Sequence, residues 1–119
     1  MKHNQSSEDY LESILMLAVE KAVVHRIDVA KRMNVSGAAV NKAMKILVEK
    51  GYIYEDGKHL YLTGIGKAYA EAVYEKHCII RGFLIALGVP APRAEDDACR
   101  MEHIISDETF SAMKKFLKK

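Results

Sequence analysis

With 119 residues, half of them apolar, the chain has room for one compact domain or two small halves sharing a core, and it needs no disulfide staples to fold. A formal net charge of +2 is too small to argue for nucleic acid by itself. The longest strongly apolar run, residues 78–89, is broken by Arg81 and falls short of the ~20 residues a membrane span requires, which predicts a soluble protein with no membrane partner.

In chain order, Ser6 or Ser7 can cap a first helix in which Tyr10, Leu11, Ile14, Leu15, Leu17 and Ala18 recur at helical spacing until about Lys21. Residues 27–53 hold two helical patterns separated by a break at Asn34, Val35 and Ser36. Ile27, Val29, Ala30 and Met33 are expected to pack the first of these, Val35 to fill the turn, and Val40, Met44 and Leu47 to anchor the second. After Gly51, "YIYEDGKHLYLT" alternates large β-forming residues around an Asp56-Gly57 pair and predicts a β-hairpin. Thr63 can cap a long helix with Ile65, Tyr69, Val73, Ile80, Phe83, Leu84 and Leu87 on an apolar stripe, stopped by Gly88. Residues 88–93 read as a break, followed by a helix from about Arg93 to Ile104 or Ile105 with Glu95, Asp96 and Asp97 in its first turn. A last helix follows a Ser106 cap, acidic at Asp107 and Glu108 and lysine-rich at its end. Cys78 and Cys99 stand among helix-forming residues, and no leader pattern opens the chain, which points to thiols in a reducing cytoplasm.

Helix, short turn, helix and Asp-Gly hairpin is the order of a winged helix-turn-helix. Ser36, Gly37, Ala38, Ala39, Asn41, Lys42 and Lys45 would form the outer face of its second helix, small where backbone approaches phosphate and cationic further along. Lys58 and His59 at the ribbon tip could touch a phosphate or the minor groove. Lys31, Arg32, Lys42, Lys45 and Lys50 are opposed only by Glu49 within residues 31–50, so this stretch is locally basic. The competing readings are a solvated lysine face, or a winged helix that docks protein; small residues, basic residues and hairpin together favour double-stranded DNA.

The stretch "EDDACRMEH", residues 95–103, crowds donors together. Within a helix, Cys99, Glu102 and His103 lie at i, i+3 and i+4 on one face, and Asp9 and Glu12 repeat the i, i+3 device on the first helix. His77 stands on the long helix. Taken singly these are a helix N-terminal acid, a core histidine, a small buried thiol and a solvated charge; jointly they need one explanation, a divalent metal. Oxygen and nitrogen donors suit Mn(II) or Fe(II), and a thiolate leans toward Fe(II), Co(II) or Zn(II). Glu95, Asp96 and Asp97 are read as first-turn acids, with outer support of the metal ligands as the lesser alternative. There is no HExxH motif and no nucleophile paired with a base, so no enzyme and no small-molecule substrate are expected.

These residues resemble the diphtheria toxin repressor family, the iron- and manganese-responsive transcriptional regulators of bacteria. "EDYLESILML" resembles its opening helix, residues 27–53 its helix-turn-helix, "LTGIGKAYAEAVYEKH" its linking helix and "DACRMEHIIS" its second ligand helix. The resemblance places Asp9, Glu12, His77, Glu102 and His103 at the manganese-type ligand positions. Cys99 instead resembles the iron-type members, which usually carry Met where this chain has Asp9, so the set is a hybrid. Arg81 stands where iron-type members carry an ancillary-site Glu, so that second site is not expected. With Lys119 as its last residue, the chain resembles the short, manganese-type architecture without an SH3-like domain.

The fold class expected is therefore mainly α: an N-terminal winged helix-turn-helix over residues 1–62, then an all-helical metal-binding and dimerisation domain over residues 63–119. The function implied is a cytoplasmic, metal-dependent regulator that binds a palindromic operator as a homodimer, with Phe83, Leu84, Leu87, Ile104, Phe110 and Leu117 as candidate dimer contacts. Metal joining the two halves would set the recognition helices near the ~34 to 36 Å between successive major-groove faces. The alternatives are a winged-helix regulator that is not metal-gated, its second half serving only dimerisation or docking, and a redox sensor acting through Cys78 or Cys99.

Overall fold

The structure is a computed structural model that describes residues 7–118; the chain divides into two compact units, Lys2–Glu71 and Ala72–Lys119. Four helices and a two-stranded antiparallel ribbon account for the first unit: α1 (Ser7–Glu20), α2 (Arg26–Met33), α3 (Gly37–Glu49), β1 (Ile53–Asp56), β2 (His59–Leu62) and the opening turns of α4 (Gly64–Ala86). Ser7 is the first residue of α1, and the alternative cap, Ser6, lies outside the described residues.

The first unit is built on side chains that recur every three or four positions. Leu11, Ile14, Val29, Val40, Met44 and Leu47 are fully buried in one cluster with Ile53, Leu60 and Ala70. Each large aliphatic removed from water in this way contributes ~1.5–3 kcal/mol before the entropy of ordering it. The break between α2 and α3 is chemical: Asn34 takes the left-handed conformation at φ 55°, Val35 N donates to Ala30 O at 3.1 Å, and Ser36 Oγ accepts from Ala39 N at 3.1 Å to start α3. Ile27 is 60% exposed and does not pack α2 as the sequence suggests. It lies two residues from Val29, about 200° around a helix of ~100° per residue, so the stripe set by Val29, Ala30 and Met33 excludes it.

In the hairpin, Asp56 pairs with His59, so the loop is Gly57-Lys58 and not the Asp-Gly pair itself. Gly57 supplies φ +63° at the first loop position, as a type II′ turn requires. Leu60 N donates to Val24 O at 2.8 Å, which ties the ribbon to the segment before α2. Thr63 works at the other end: its hydroxyl donates to Gly51 O at 2.7 Å and accepts from Gly66 N at 3.0 Å, capping α4 against the residues after α3.

The second unit holds the rest of α4 with α5 (Ala91–Met101) and α6 (Asp107–Leu117). Gly88 ends α4 at φ +103°, with Val89 N bonded to Leu84 O at 3.0 Å. The helix expected from Arg93 begins two residues earlier and ends at Met101, because prolines are tolerated in a first turn, where the missing N–H has no partner to lose. Glu95, Asp96 and Asp97 therefore sit in the second turn, not the first. Ser106 caps α6 by accepting from Thr109 N at 3.1 Å. Small Ala94 and Ala98 are fully buried, Phe83 meets Phe116 edge to face at 5.4 Å, and a Cβ on Gly82 would touch Leu117. Of the expected α4 stripe, Val73 and Ile80 are buried, whereas Ile65 and Leu87 are exposed at the helix's start and just past its end. Ile85, Leu87, Ile104 and Phe116 leave apolar surface open on this unit. No helix among the described residues is long and apolar enough to cross a membrane.

The tightest joint is Gly66, where a Cβ would fall inside the backbone carbonyl of Tyr52. Gly66→Ala is expected to cost about 3 kcal/mol or more, since the obstruction is backbone and cannot rotate away. Gly37→Ala, with nothing within 4 Å of its Cβ, is expected to be neutral or to stabilise α3 slightly. Paired urea-unfolding curves check both.

Candidate metal centre and nucleic-acid interface

The donors of the second unit converge on one carboxylate. Residues 102–104 leave α5 through a tightened turn, in which His103 N bonds Arg100 O at 3.4 Å and Ile104 N bonds Met101 O at 3.1 Å. That turn keeps Cys99, Glu102 and His103 one turn apart although the helix proper has ended. Glu102 is 1% exposed, its Oε2 lies 3.5 Å from His77 Nδ1, and its Oε1 lies 3.5 Å from His103 Nε2. His77, on α4, is itself buried. These separations are long for hydrogen bonds and suit lone pairs facing a common point. Cys99 is half-buried in the last turn of α5, outside any disulfide.

Glu95, which the sequence places in a helical first turn with support of the ligands as the lesser alternative, touches His77. Its Oε2 lies 2.7 Å from His77 Nε2, and its Oε1 accepts from Arg81 Nη1 at 3.3 Å. An ionised carboxylate only accepts, so Nε2 donates to Glu95 here, and the other ring nitrogen, Nδ1, faces Glu102. A carboxylate that accepts from the second ring nitrogen is a common outer partner of a metal-bound histidine. The signal was present in the spacing: Glu95, Cys99 and Glu102 stand at i, i+4 and i+7, on one helix face.

In the first unit, Asp9 is buried and Glu12 half-buried on successive turns of α1. Their neighbour Glu8 accepts from the Tyr69 hydroxyl at 2.7 Å, and burial, with this bond and the Glu8 charge, pushes the Tyr69 phenol up to about 12. Burial, then the Asp9 charge, raises Tyr10 as well. The donor chemistry of His77, Cys99, Glu102 and His103 in the second unit fits a divalent transition ion: borderline nitrogen, hard oxygen and one soft sulfur.

On α3, Ser36, Gly37, Ala38, Asn41, Lys42 and Lys45 are exposed, Ala39 is half-buried, and Val40, Met44 and Leu47 face the core. Lys58 is exposed at the ribbon tip; His59 is half-buried, its ring 3.9 Å from that of Tyr61, which stacks on exposed Tyr54 at 4.9 Å. Lys42, Lys45 and Lys58 make no ion pair among the described residues, whereas Lys21 pairs with Asp28 at 2.7 Å and Arg32 with Glu20 at 3.1 Å. Unneutralised cations beside a capped helix N-terminus form a surface suited to phosphate.

Residues 3–60 match the family model for the N-terminal DNA-binding domain of iron-dependent repressors, and residues 63–119 match the model for their metal-binding and dimerisation domain. An uncharacterized HTH-type transcriptional regulator of Methanocaldococcus jannaschii is 35% identical over 119 residues, covering 98% of this chain and 95% of that protein. The transcriptional regulator MntR of Salmonella typhimurium is 36% identical over 110 residues, 92% of this chain and 70% of its own. Among solved structures, the metal-dependent transcriptional regulator MtsR superposes with a TM-score of 0.91 at 30% identity, over 98% of this chain and 55% of that one. The chain thus spans nearly all of one relative and about half the length of the solved regulator. With a winged helix-turn-helix in one unit, a buried donor cluster in the other, and the two family models together matching residues 3–60 and 63–119, the chain belongs to the iron-dependent repressor family, the same family its ligand motifs resemble.

Proposed function

We propose that this chain is a metal-dependent transcriptional regulator of the cytoplasm, and not an enzyme, that binds double-stranded DNA as a homodimer when a divalent metal, Mn(II) or Fe(II), is bound. Residues 1–62 read the operator, with Ser36, Ala38, Ala39, Asn41, Lys42, Lys45 and Lys58 as contacts. Residues 63–119 hold metal and dimerise, and the apolar surface left open at Leu87, Ile104 and Phe116 supports a self-association face. The observation that carries the reading is the buried Glu102 carboxylate faced by the His77 and His103 imidazoles, 3.5 Å away on either side.

His77, Glu102 and His103, with Asp9, Glu12 and Cys99, are the residues that would hold the ion. Its charge would offset the repulsion and desolvation of these carboxylates, which otherwise disfavour their approach. Asp9 and Glu12 belong to the DNA-reading part of the sequence and the other donors to the dimerising part, so sharing one ion restrains one part against the other. Coupling of this kind is typically worth ~1–3 kcal/mol, about five- to a hundred-and-fifty-fold in DNA affinity.

The test uses duplex DNA enriched from a randomised library by the full chain in the presence of Mn(II). The double variant Glu102→Ala, His103→Ala should bind that duplex equally with and without Mn(II), Fe(II) or Co(II). An undiminished metal response in fluorescence anisotropy would return the second half to a purely dimerising or docking role. In the Co(II) form, a thiolate-to-metal charge-transfer band that vanishes in Cys99→Ser is the expected signature of sulfur ligation. Glu95→Ala should weaken Co(II) binding by ~10- to 100-fold in anaerobic calorimetry while leaving the thermal transition of the metal-free chain nearly unchanged.

A further inference from the structure

Arg26, the first residue of α2, reaches two other elements of the reading unit. Its Nε donates to Glu55 Oε2 on β1 at 2.8 Å and its Nη2 donates to Glu55 Oε1, while Nη1 donates to Asn41 Oδ1 on α3 at 2.8 Å. The bidentate pair is partly shielded: the Glu55 side chain is 24% and the Arg26 side chain 37% exposed. The hydrogen bond to Glu55 raises the guanidinium further, and the same bond holds the Glu55 carboxyl below its usual range. Both groups are therefore charged wherever the protein would meet DNA.

A guanidinium has donors and no acceptor, so an amide that faces it must present oxygen. The flip of Asn41 is fixed by that chemistry, and its NH2 group is what the side chain offers elsewhere. An unrestrained asparagine in the major groove favours adenine, because one amide can accept from N6–H and donate to N7 together. In this chain the accepting atom already holds one hydrogen bond and has a full positive charge beside it, which opposes a second N–H donor.

We infer that Arg26 is a positioning residue for sequence readout, turning Asn41 into a donor-only reader that selects guanine or thymine, through their O6 or O4 acceptors, where an unrestrained asparagine would take adenine. The inference rests on the reading of α3 as the DNA-facing helix. Glu55 serves the same end by holding the guanidinium from the other side.

Selection from randomised duplex DNA by the full chain loaded with Mn(II) tests this, using wild type, Asn41→Ala and Arg26→Met, the last keeping an apolar stem without donors. Wild type should show G or T at one position of each half-site, and Asn41→Ala should lose that preference about tenfold there alone. Arg26→Met should shift the same position toward A and leave the others in place, which a merely structural role would not do. Adenine at that position in wild type overturns the inference, as does an Arg26→Met change spread evenly over the site. An unaltered wild-type site in Asn41→Ala overturns it while DNA reading survives, whereas no enrichment by wild type removes both. If Arg26→Met lacks a cooperative melt, wild type against Asn41→Ala decides alone.

Discussion

A carboxylate taken almost wholly out of water is the costliest group in this structure, and the second unit is organised around one. Moving such an ion inside a protein costs several kcal/mol even after relaxation, unless positive charge and hydrogen bonds compensate. Glu102 is met by two imidazoles, groups that give partial compensation when protonated and become metal ligands when neutral. The arrangement is thus conditional by construction. Its stability depends on what cation, proton or metal, is supplied, and a regulator needs that kind of dependence at the point where it senses.

The surrounding packing keeps this carboxylate in place at low cost. Ala94 and Ala98 let α5 lie close to its neighbours, and the tightened turn after Met101 carries Glu102 and His103 onward without losing helical register. Pro90 and Pro92 set where α5 begins, which decides that Glu95 arrives opposite His77. A start two residues later would rotate the acid by about 200° and remove it from the imidazole. The geometry around His77 and Glu102 therefore depends on the start of a helix as well as on the identity of the candidate ligands.

Most of this was legible because amphipathic helices and tight turns announce themselves locally. Val40, Met44 and Leu47 marked the inner face of α3, Asn34 to Ser36 marked the break before it, and the Ser106 and Thr63 caps appear as read. The failures were of phase. Ile27 was credited to the core on composition, although its angle around α2 excluded it; Ile65 and Leu87 were likewise carried along by a stripe that the helix ends do not complete. Arg26 and Glu55 were invisible for a different reason: residues 29 positions apart on a helix and a ribbon share no periodicity, and only the fold brings them together. The ligand candidates emerged early because the donor spacings, i, i+3 and i+4, are local signals.

The same distinction explains how the reading half divides its labour. Long cationic side chains on α3 and at the ribbon tip make no ion pair among the described residues, so on the proposed reading they would contribute attraction to phosphate that is independent of sequence and sensitive to salt. Arg26 is the opposite case, a cation whose charge is already committed to Glu55 and one of whose other N–H groups is committed to Asn41. A committed cation adds little net attraction, since its partner carboxylate cancels its field at a distance beyond the ~8–10 Å Debye length. What it retains is direction. If α3 is the DNA-facing helix as proposed, Lys42, Lys45 and Lys58 would set how tightly the surface holds a duplex, and the Arg26 bridge would set what the surface can tell apart once it is held.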